Sequence, residues 1–260
     1  MWLASVDMFG GGRVGRVLEP EVMDSVEEAL AYDELERLLG EILFAGFAES
    51  AVRMGTASGR VLDVGTGPGR IAIRMAKLNP GLSIDAMDLS KNMLSLAERN
   101  AREQGVGDRI RFSLGDAKRI PFPDRSFDLV VCHNMLHQLP DPVVTVREIS
   151  RVAKPHGAIL IRDVRRLPAV LMTMLLPLYC LRYGRALRSL TYASYRAGLN
   201  SREFAEVAGE ADIDRARITE QFITHQSLER TAVPYVPVAT NQTGSWLVRF
   251  ARAFYVCSPR

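Results

Sequence analysis

Val61-Leu62-Asp63-Val64-Gly65-Thr66-Gly67-Pro68-Gly69-Arg70 is the stretch whose reading decides the fold. An apolar run interrupted by one acid leads into three glycines and a proline, after which the helical pattern of IAIRMAKL begins at Ile71. Glycine lets the backbone turn sharply and lets another group approach where a side chain would block it. Pro68 suits the first helical position, where its missing N–H would be unpaired in any case. Strand, tight turn and helix are expected in that order. The spacing G-x-G-x-G brings the third glycine one residue earlier than the G-x-G-x-x-G of dinucleotide-binding turns. Asp63, two residues before the first glycine, disfavours an anionic pyrophosphate nearby and suits a ligand that carries positive charge.

Outward from this turn, short β-branched runs alternate with helical stretches. The runs are RVLDVG from Arg60, SIDAMDL from Ser83, IRFSLGD from Ile110, FDLVVCHN from Phe127 and GAILIRDV from Gly157. Such alternation predicts an α/β fold with a doubly wound, mostly parallel sheet, whose ligands sit at the carboxyl ends of the strands. From Glu19 to about Ala51, acidic and leucine-rich residues recur at helical spacing and predict helices ahead of the sheet. Beyond Val164 the pattern weakens. The segment 169–190 is apolar and broken by Pro177, Ser201 to Ala211 predicts a helix with Ser201 as its N-cap, and Arg215 to Phe222 alternates like a strand. The tail SWLVRFARAFYV, from Ser245, suits helix or strand.

With 260 residues the chain can bury a substantial core, and 47% hydrophobic with 24% charged residues excludes a disordered, collagen-like or coiled-coil chain. The net charge of +3 does not point to nucleic acid. Cys132, Cys180 and Cys257 are odd in number and far apart, so neither a disulfide framework nor a metal site is expected. MWLASVDMFGGGRVGR lacks the pattern of a secretory signal, and the most apolar stretch, Ala169 to Leu181, falls short of the roughly 18 residues that a spanning helix needs. A cytoplasmic location is expected.

VLDVGTGPG resembles the first motif of class I S-adenosylmethionine-dependent methyltransferases. IDAMDLS, SLGDA and VVCHNMLHQLPDP are similar to three later motifs, in the same order. The resemblance implies a Rossmann-like seven-stranded sheet with its last strands antiparallel, an N-terminal helical cap and an insertion after strand 5. It implies S-adenosylmethionine as cofactor, held at Asp63, Gly65, Thr66 and Gly67. Asp88, 23 residues past Gly65, would accept hydrogen bonds from both ribose hydroxyls, with Leu89 against one face of the adenine. Asp116 would meet the adenine amino group, Ala117 would offer a backbone N–H to the ring, and Asn134 would lie beside the methionine portion. The domain is expected over 52–232, with an arm and cap over 1–51, a variable substrate-side segment over 165–200 and a C-terminal extension over 233–260.

EPEVMD from Glu19, Tyr32 and IRDVRR from Ile161 are loosely similar to a small-molecule branch that includes ubiquinone and menaquinone biosynthesis enzymes. A small apolar or amphiphilic acceptor is therefore the expected partner, although a shared fold seldom transfers the substrate. Arg13, Met23 and Tyr32 fall in the segment that would cover the cofactor. His133, His137 and Asp163 flank the methyl-transfer region and are the candidates for taking a proton from the acceptor. Cys132, in an apolar strand, is expected as a small buried hydrophobe.

From Arg162 to Arg202 there are eight arginines and one acid, Asp163. A solvated basic face, an anionic acceptor or a helix lying on a membrane surface through 169–190 would each account for them. An RNA methyltransferase is a further reading of the arginine excess, although the segment lacks the interleaved stacking aromatics of RNA-binding surfaces. A binding protein without methyl transfer stays open as a second reading, and the oligomeric state is not readable.

Overall fold

The alternating pattern builds one sheet with helices on both faces. The computed structural model describes residues 15–19, 25–26, 29–30, 32–33, 43–55, 57–179, 185–221 and 224–234. In chain order the elements are α1 (Leu43–Met54), β1 (Gly59–Val64), α2 (Arg70–Leu78), β2 (Leu82–Asp88), α3 (Lys91–Glu103), β3 (Ile110–Leu114), β4 (Phe127–His133), α4 (Pro142–Val152) and β5 (Ala153–Val164). They continue as α5 (Ala169–Tyr179), α6 (Arg185–Ala197), α7 (Ser201–Ala211), β6 (Arg217–Gln221) and β7 (His225–Arg230).

The seven strands lie in the order β3-β2-β1-β4-β5-β7-β6. The first five are parallel. β7 runs antiparallel to both β5 and β6, so of the two last strands it alone opposes the rest of the sheet. The order reverses at β1, with β2 and β3 on one side and β4 and β5 on the other. At such a reversal the crossover helices leave on opposite faces, and a crevice opens at the carboxyl ends.

Side chains alternate between the two faces with a period of two. Val61, Leu129, Val131 and Leu160 point to one face and pack with Phe47 and Ala51 of α1 and with Ile73 and Met75 of α2. Leu62, Val64, Val130, Cys132, Ile159 and Ile161 point to the other and pack with Val146 and Ile149 of α4 and Phe204 of α7. Cys132 is a buried free thiol, as its apolar strand predicts. α1 crosses the expected boundary at residue 51 and belongs to the sheet's own core.

Two local expectations are corrected. α2 begins at Arg70 with Gly69 as its N-cap, so Pro68 sits in the turn and not at the first helical position. α7 is capped by Asn200 and not by Ser201, because the Asn200 side chain accepts the Arg202 and Glu203 amides at 3.0 Å while Glu203 accepts the Asn200 amide at 3.0 Å. That reciprocal pair satisfies amides that a serine one residue later leaves free. The tail over 245–256 lies outside the described residues.

Gly69 is held by packing. Its φ is +80°, and a Cβ there would meet the Ala97 Cβ at 2.9 Å, so the residue sets how closely α2 approaches α3. Gly69→Ala is expected to cost about 2–4 kcal/mol of stability, from left-handed strain and overpacking together. Gly105, at φ +68° with nothing within 4 Å of its Cβ position, is the control. Gly105→Ala should cost only about 1–2 kcal/mol, the strain alone. Urea midpoints of the two variants check the difference.

Candidate functional site

The crevice at the strand ends is a cleft of about 850 Å³, including its open mouth. Gly65, Thr66 and Gly67 supply one wall. Asp88, Leu89 and Ser90 come from the end of β2, Gly115, Asp116 and Ala117 follow β3, and His133, Asn134, Met135, Gln138 and Leu139 follow β4. Tyr32 closes part of the rim, with its Cε1 3.7 Å from where a Gly67 Cβ would stand. Arg13 and Met23, expected beside it, lie outside the described residues.

The glycine turn is shaped by the ends of β1 and β2. The Met87 carbonyl accepts the Gly65 and Thr66 amides at 2.9 and 3.0 Å, and Asp88 Oδ2 accepts the Gly67 amide at 2.8 Å. Asp88 Oδ1 accepts the Ser90 amide at 2.9 Å. A carboxylate oxygen can accept more than one hydrogen bond, so Asp88 can accept from a ligand as well. Burial pushes the Asp88 carboxyl up, and the Ser90, Gly67 and Leu89 amides pull it back. Gly65 has φ +71°, and a Cβ there would lie 2.9 Å from the Met135 Cγ, so any side chain would displace the opposite wall.

Asp63 does not line the cleft. It is buried beneath the turn, where it accepts a hydrogen bond from Thr66 Oγ1 at 2.7 Å. Burial raises its pKa to about 7 against the pull of the Thr66 hydroxyl, with nearby Asp88 adding to the rise. Asp116 lies at the mouth, its Oδ1 accepting the Lys118 amide at 2.8 Å.

Asn134 stands at the end of β4 with φ +51°, a conformation that asparagine tolerates better than most residues. Its Oδ1 is buried with no hydrogen-bond partner among the described residues. An amide oxygen left in that state is costly unless a donor arrives.

Strand alternation sends His133 to the cleft and Asp163 to the opposite face, where His137 joins it. His133 continues the Leu129–Val131 face and lines the cleft, edge-on to Phe47 at 4.5 Å and stacked on His225 at 6.2 Å between centroids. Burial, with His225, Arg162 and His137 close by, holds it well below the ordinary imidazole value. It is neutral and a weak base. Asp163 continues the opposite face, with Ile159 and Ile161. It does not line the cleft, and its Oδ1 meets His137 Nδ1 at 2.7 Å. His137 does not line the cleft either. Asp163 and Glu19 raise its pKa to about 9 against the effect of burial, so at neutral pH it is an imidazolium without a lone pair to offer a proton.

Ser90, Gly115, Met135, Gln138 and Leu139 border the cleft without having been singled out from the sequence. Met135 and Gln138 follow Asn134 within one motif, but only the 3-10 turn Leu136–Gln138 decides which of its side chains face inward.

The basic segment is partly consumed internally. Arg162 is fully buried over the Phe47 ring at 5.2 Å, Arg165 pairs with Glu220 at 2.5 Å, Arg166 with Glu203 at 2.6 Å and Arg202 with Glu206 at 2.9 Å. At least four of the eight arginines therefore have a partner within the chain. Among the described residues no helix is long and apolar enough to cross a membrane.

A family model described as a methyltransferase domain matches residues 56–184. The 27-O-demethylrifamycin SV methyltransferase of Amycolatopsis mediterranei is 35% identical over 113 residues, 44% of this chain and 41% of that protein. A demethylmenaquinone methyltransferase of Deinococcus radiodurans is 36% identical over 134 residues, 51% of this chain and 55% of that one. The matched region thus spans about two fifths to just over half the length of these relatives. Among solved structures, one from Methanococcus maripaludis assigned to the S-adenosyl-L-methionine-dependent methyltransferases aligns with a TM-score of 0.66 and 25% identity over 84% of this chain and 98% of that one. One from Aquifex aeolicus, at TM-score 0.59 and 18% identity over 80% of this chain and 99% of that one, shares the fold. The seven-stranded order, the glycine turn with acids at the two adjoining strand ends, and these likenesses agree: residues 56–184 are a methyltransferase domain of the class I S-adenosylmethionine-dependent type.

Proposed function

We propose that this chain transfers a methyl group from S-adenosylmethionine to a small, amphiphilic acceptor that reaches the cleft already ionised. The observation that carries the reading is the convergence on one cleft of the Gly65–Gly67 turn, Asp88 and Asp116, with Asn134 on the opposite wall. The donor set suits the cofactor. Asp88 offers free lone pairs to a vicinal diol, Asp116 an acceptor to an exocyclic amine, and the unpartnered Asn134 oxygen an acceptor to an ammonium group. Leu89, 40% exposed, offers an apolar surface to a ring.

When bound, S-adenosylmethionine supplies a methyl carbon already made electrophilic by its sulfonium. The protein's task is then alignment and the exclusion of water. Gly65 and Gly67 bring backbone to the donor, Met135 and Leu139 supply apolar wall, and Tyr32 covers the rim. His133, neutral and weakly basic, can orient an acceptor by hydrogen bonding but is a poor group for removing a proton from a neutral alcohol or amine. This favours an acceptor that ionises unaided, such as an acidic enol or a carboxylate.

α5 supports the amphiphilic part of the reading. Val170, Leu171 and Met174 are exposed on a helix without a charged residue, and no acid occurs between Asp163 and Glu203. Such a surface suits delivery of an apolar acceptor from a membrane surface. The demethylmenaquinone methyltransferase likeness points the same way.

Asp88→Asn is expected to weaken S-adenosylhomocysteine binding by more than about tenfold, roughly 1.4 kcal/mol, by removing the charge that strengthens two ligand hydrogen bonds. Calorimetry on wild type and variant checks this, with melting curves as the folding control. Incubation with methyl-labelled cofactor and a fractionated metabolite and lipid extract should place label in an acidic, organic-soluble fraction. Donor binding without transfer to any fraction would favour the binding-protein reading.

A further inference from the structure

The sharpest arrangement that this function leaves unused is the buried contact among Glu19, His137 and Asp163. His137 Nδ1 lies 2.7 Å from Asp163 Oδ1 and its Nε2 lies 3.5 Å from Glu19 Oε2, with all three side chains nearly inaccessible. Asp163 also accepts the His137 backbone amide on its other oxygen, at 3.2 Å. One carboxylate thus grips a single residue by both main chain and ring.

The same place is tied from above. Arg16 donates to the carbonyls of Leu136, His137 and Leu139 at 3.1, 2.8 and 2.9 Å and to that of Ala197 at 2.7 Å. Val17 donates its amide to the Arg196 carbonyl at 3.3 Å, and Ser194 donates to Glu19 Oε1 at 3.0 Å. Residues 15–19 are therefore laced to the C-terminal half of α6 and to the 3-10 turn Leu136–Gln138. That turn has little strength of its own. Its internal bonds are Gln138 N–H to the Met135 carbonyl at 3.1 Å and Leu139 N–H to the Leu136 carbonyl at 3.2 Å, the poorer geometry of a 3-10 turn. Yet Met135, Gln138 and Leu139 form a cleft wall.

We propose that His137 is a positioning residue: held between Asp163 and Glu19, its ring fastens residues 15–19 onto the turn that forms the β4-side wall of the cleft, and so couples the set of that wall to the docking of the N-terminal segment. An imidazolium carries a proton on both ring nitrogens and faces two carboxylates favourably, a hydrogen bond to Asp163 at 2.7 Å and an ion-pair contact to Glu19 at 3.5 Å, whereas a neutral ring turns a lone pair on one of the acids. The titratable and charged groups around this contact are Asp163 of β5 with Glu19 and Arg16 of the N-terminal segment, and, across the sheet, Arg162 of β5, His133 of β4 and His225 of β7. Glu203 and Arg166 act on Arg16. With both acids ionised, the protonated ring and Arg16 balance them. Loss of the ring proton leaves one buried negative charge in excess.

The sign of the pH effect follows. The docked ring titrates at about 9, above the ordinary 6.5, so the clasp is at full strength below about pH 6.5 and has lost its proton-linked part by about pH 9. The consequence for the wall rests on the methyl-transfer reading, but the docking itself does not.

The test is trypsin cleavage after Arg16 in the intact chain, read by mass spectrometry and normalised to a free peptide of the same sequence. In wild type, normalised cleavage should rise by about tenfold or more between pH 6.5 and 9 and level off above that. His137→Gln should cleave at pH 6.5 about as fast as wild type does at pH 9, with the pH dependence gone. A flat wild-type profile, or a His137→Gln profile matching wild type, overturns the proposal. Should His137→Gln lack a cooperative melt, Glu19→Gln decides, since it leaves the His137–Asp163 pair intact. Cleavage at least several-fold faster with an unchanged melting temperature supports the proposal, and cleavage at the wild-type rate overturns it. Calorimetry of wild type with S-adenosylhomocysteine reports separately on the cofactor reading.

Discussion

The Asp88 carboxylate at the end of β2, accepting the Gly67 amide across the top of the sheet, is the interaction on which the site depends. It joins the second strand to the turn that leaves the first, and the lone pairs it retains face the cleft. The turn can meet it only because Gly65, Gly67 and Gly69 all take positive φ, a region that side chains bearing Cβ enter at a cost. Asp63 beneath, accepting from Thr66, holds the same turn from inside. Two carboxyl groups against one turn suit a cationic donor, which favours their ionised forms, and disfavour a pyrophosphate.

The pleat of the sheet sorts the remaining chemistry. On one face His133, His225 and Arg162 gather against Phe47, and mutual repulsion with burial keeps both imidazoles neutral. On the other, Asp163 draws His137 into an ion pair that keeps it charged. Two histidines four residues apart thus have opposite protonation states, and neither is a strong proton acceptor at neutral pH.

The segment between β5 and α7 shows how composition misleads when partners are out of view. Eight arginines against one acid suggest a strongly basic face. In the fold, Glu203, Glu206 and Glu220, all beyond that window in the chain, return to neutralise three of them, and a fourth is buried over an aromatic ring. What stays distinctive is the uncharged, exposed face of α5. That is a property of apolar surface more than of charge.

From the sequence alone come the five parallel strands, the glycine turn and the acids at the ends of β2 and β3, since period-two alternation and turn chemistry are local and each motif carries its own spacing. Eight residues expected at the cofactor, Gly65, Thr66, Gly67, Asp88, Leu89, Asp116, Ala117 and Asn134, border one cleft for that reason. Tertiary structure decided the rest. Asp63 points under the turn, and Asp163 points to the face opposite His133, because the parity of a residue within its strand counts only once the sheet has its two coverings. The state of His137 depends on Glu19, 118 positions earlier in the chain. Contacts of that range leave no trace in local pattern, and it is desolvation around them that sets which groups carry charge.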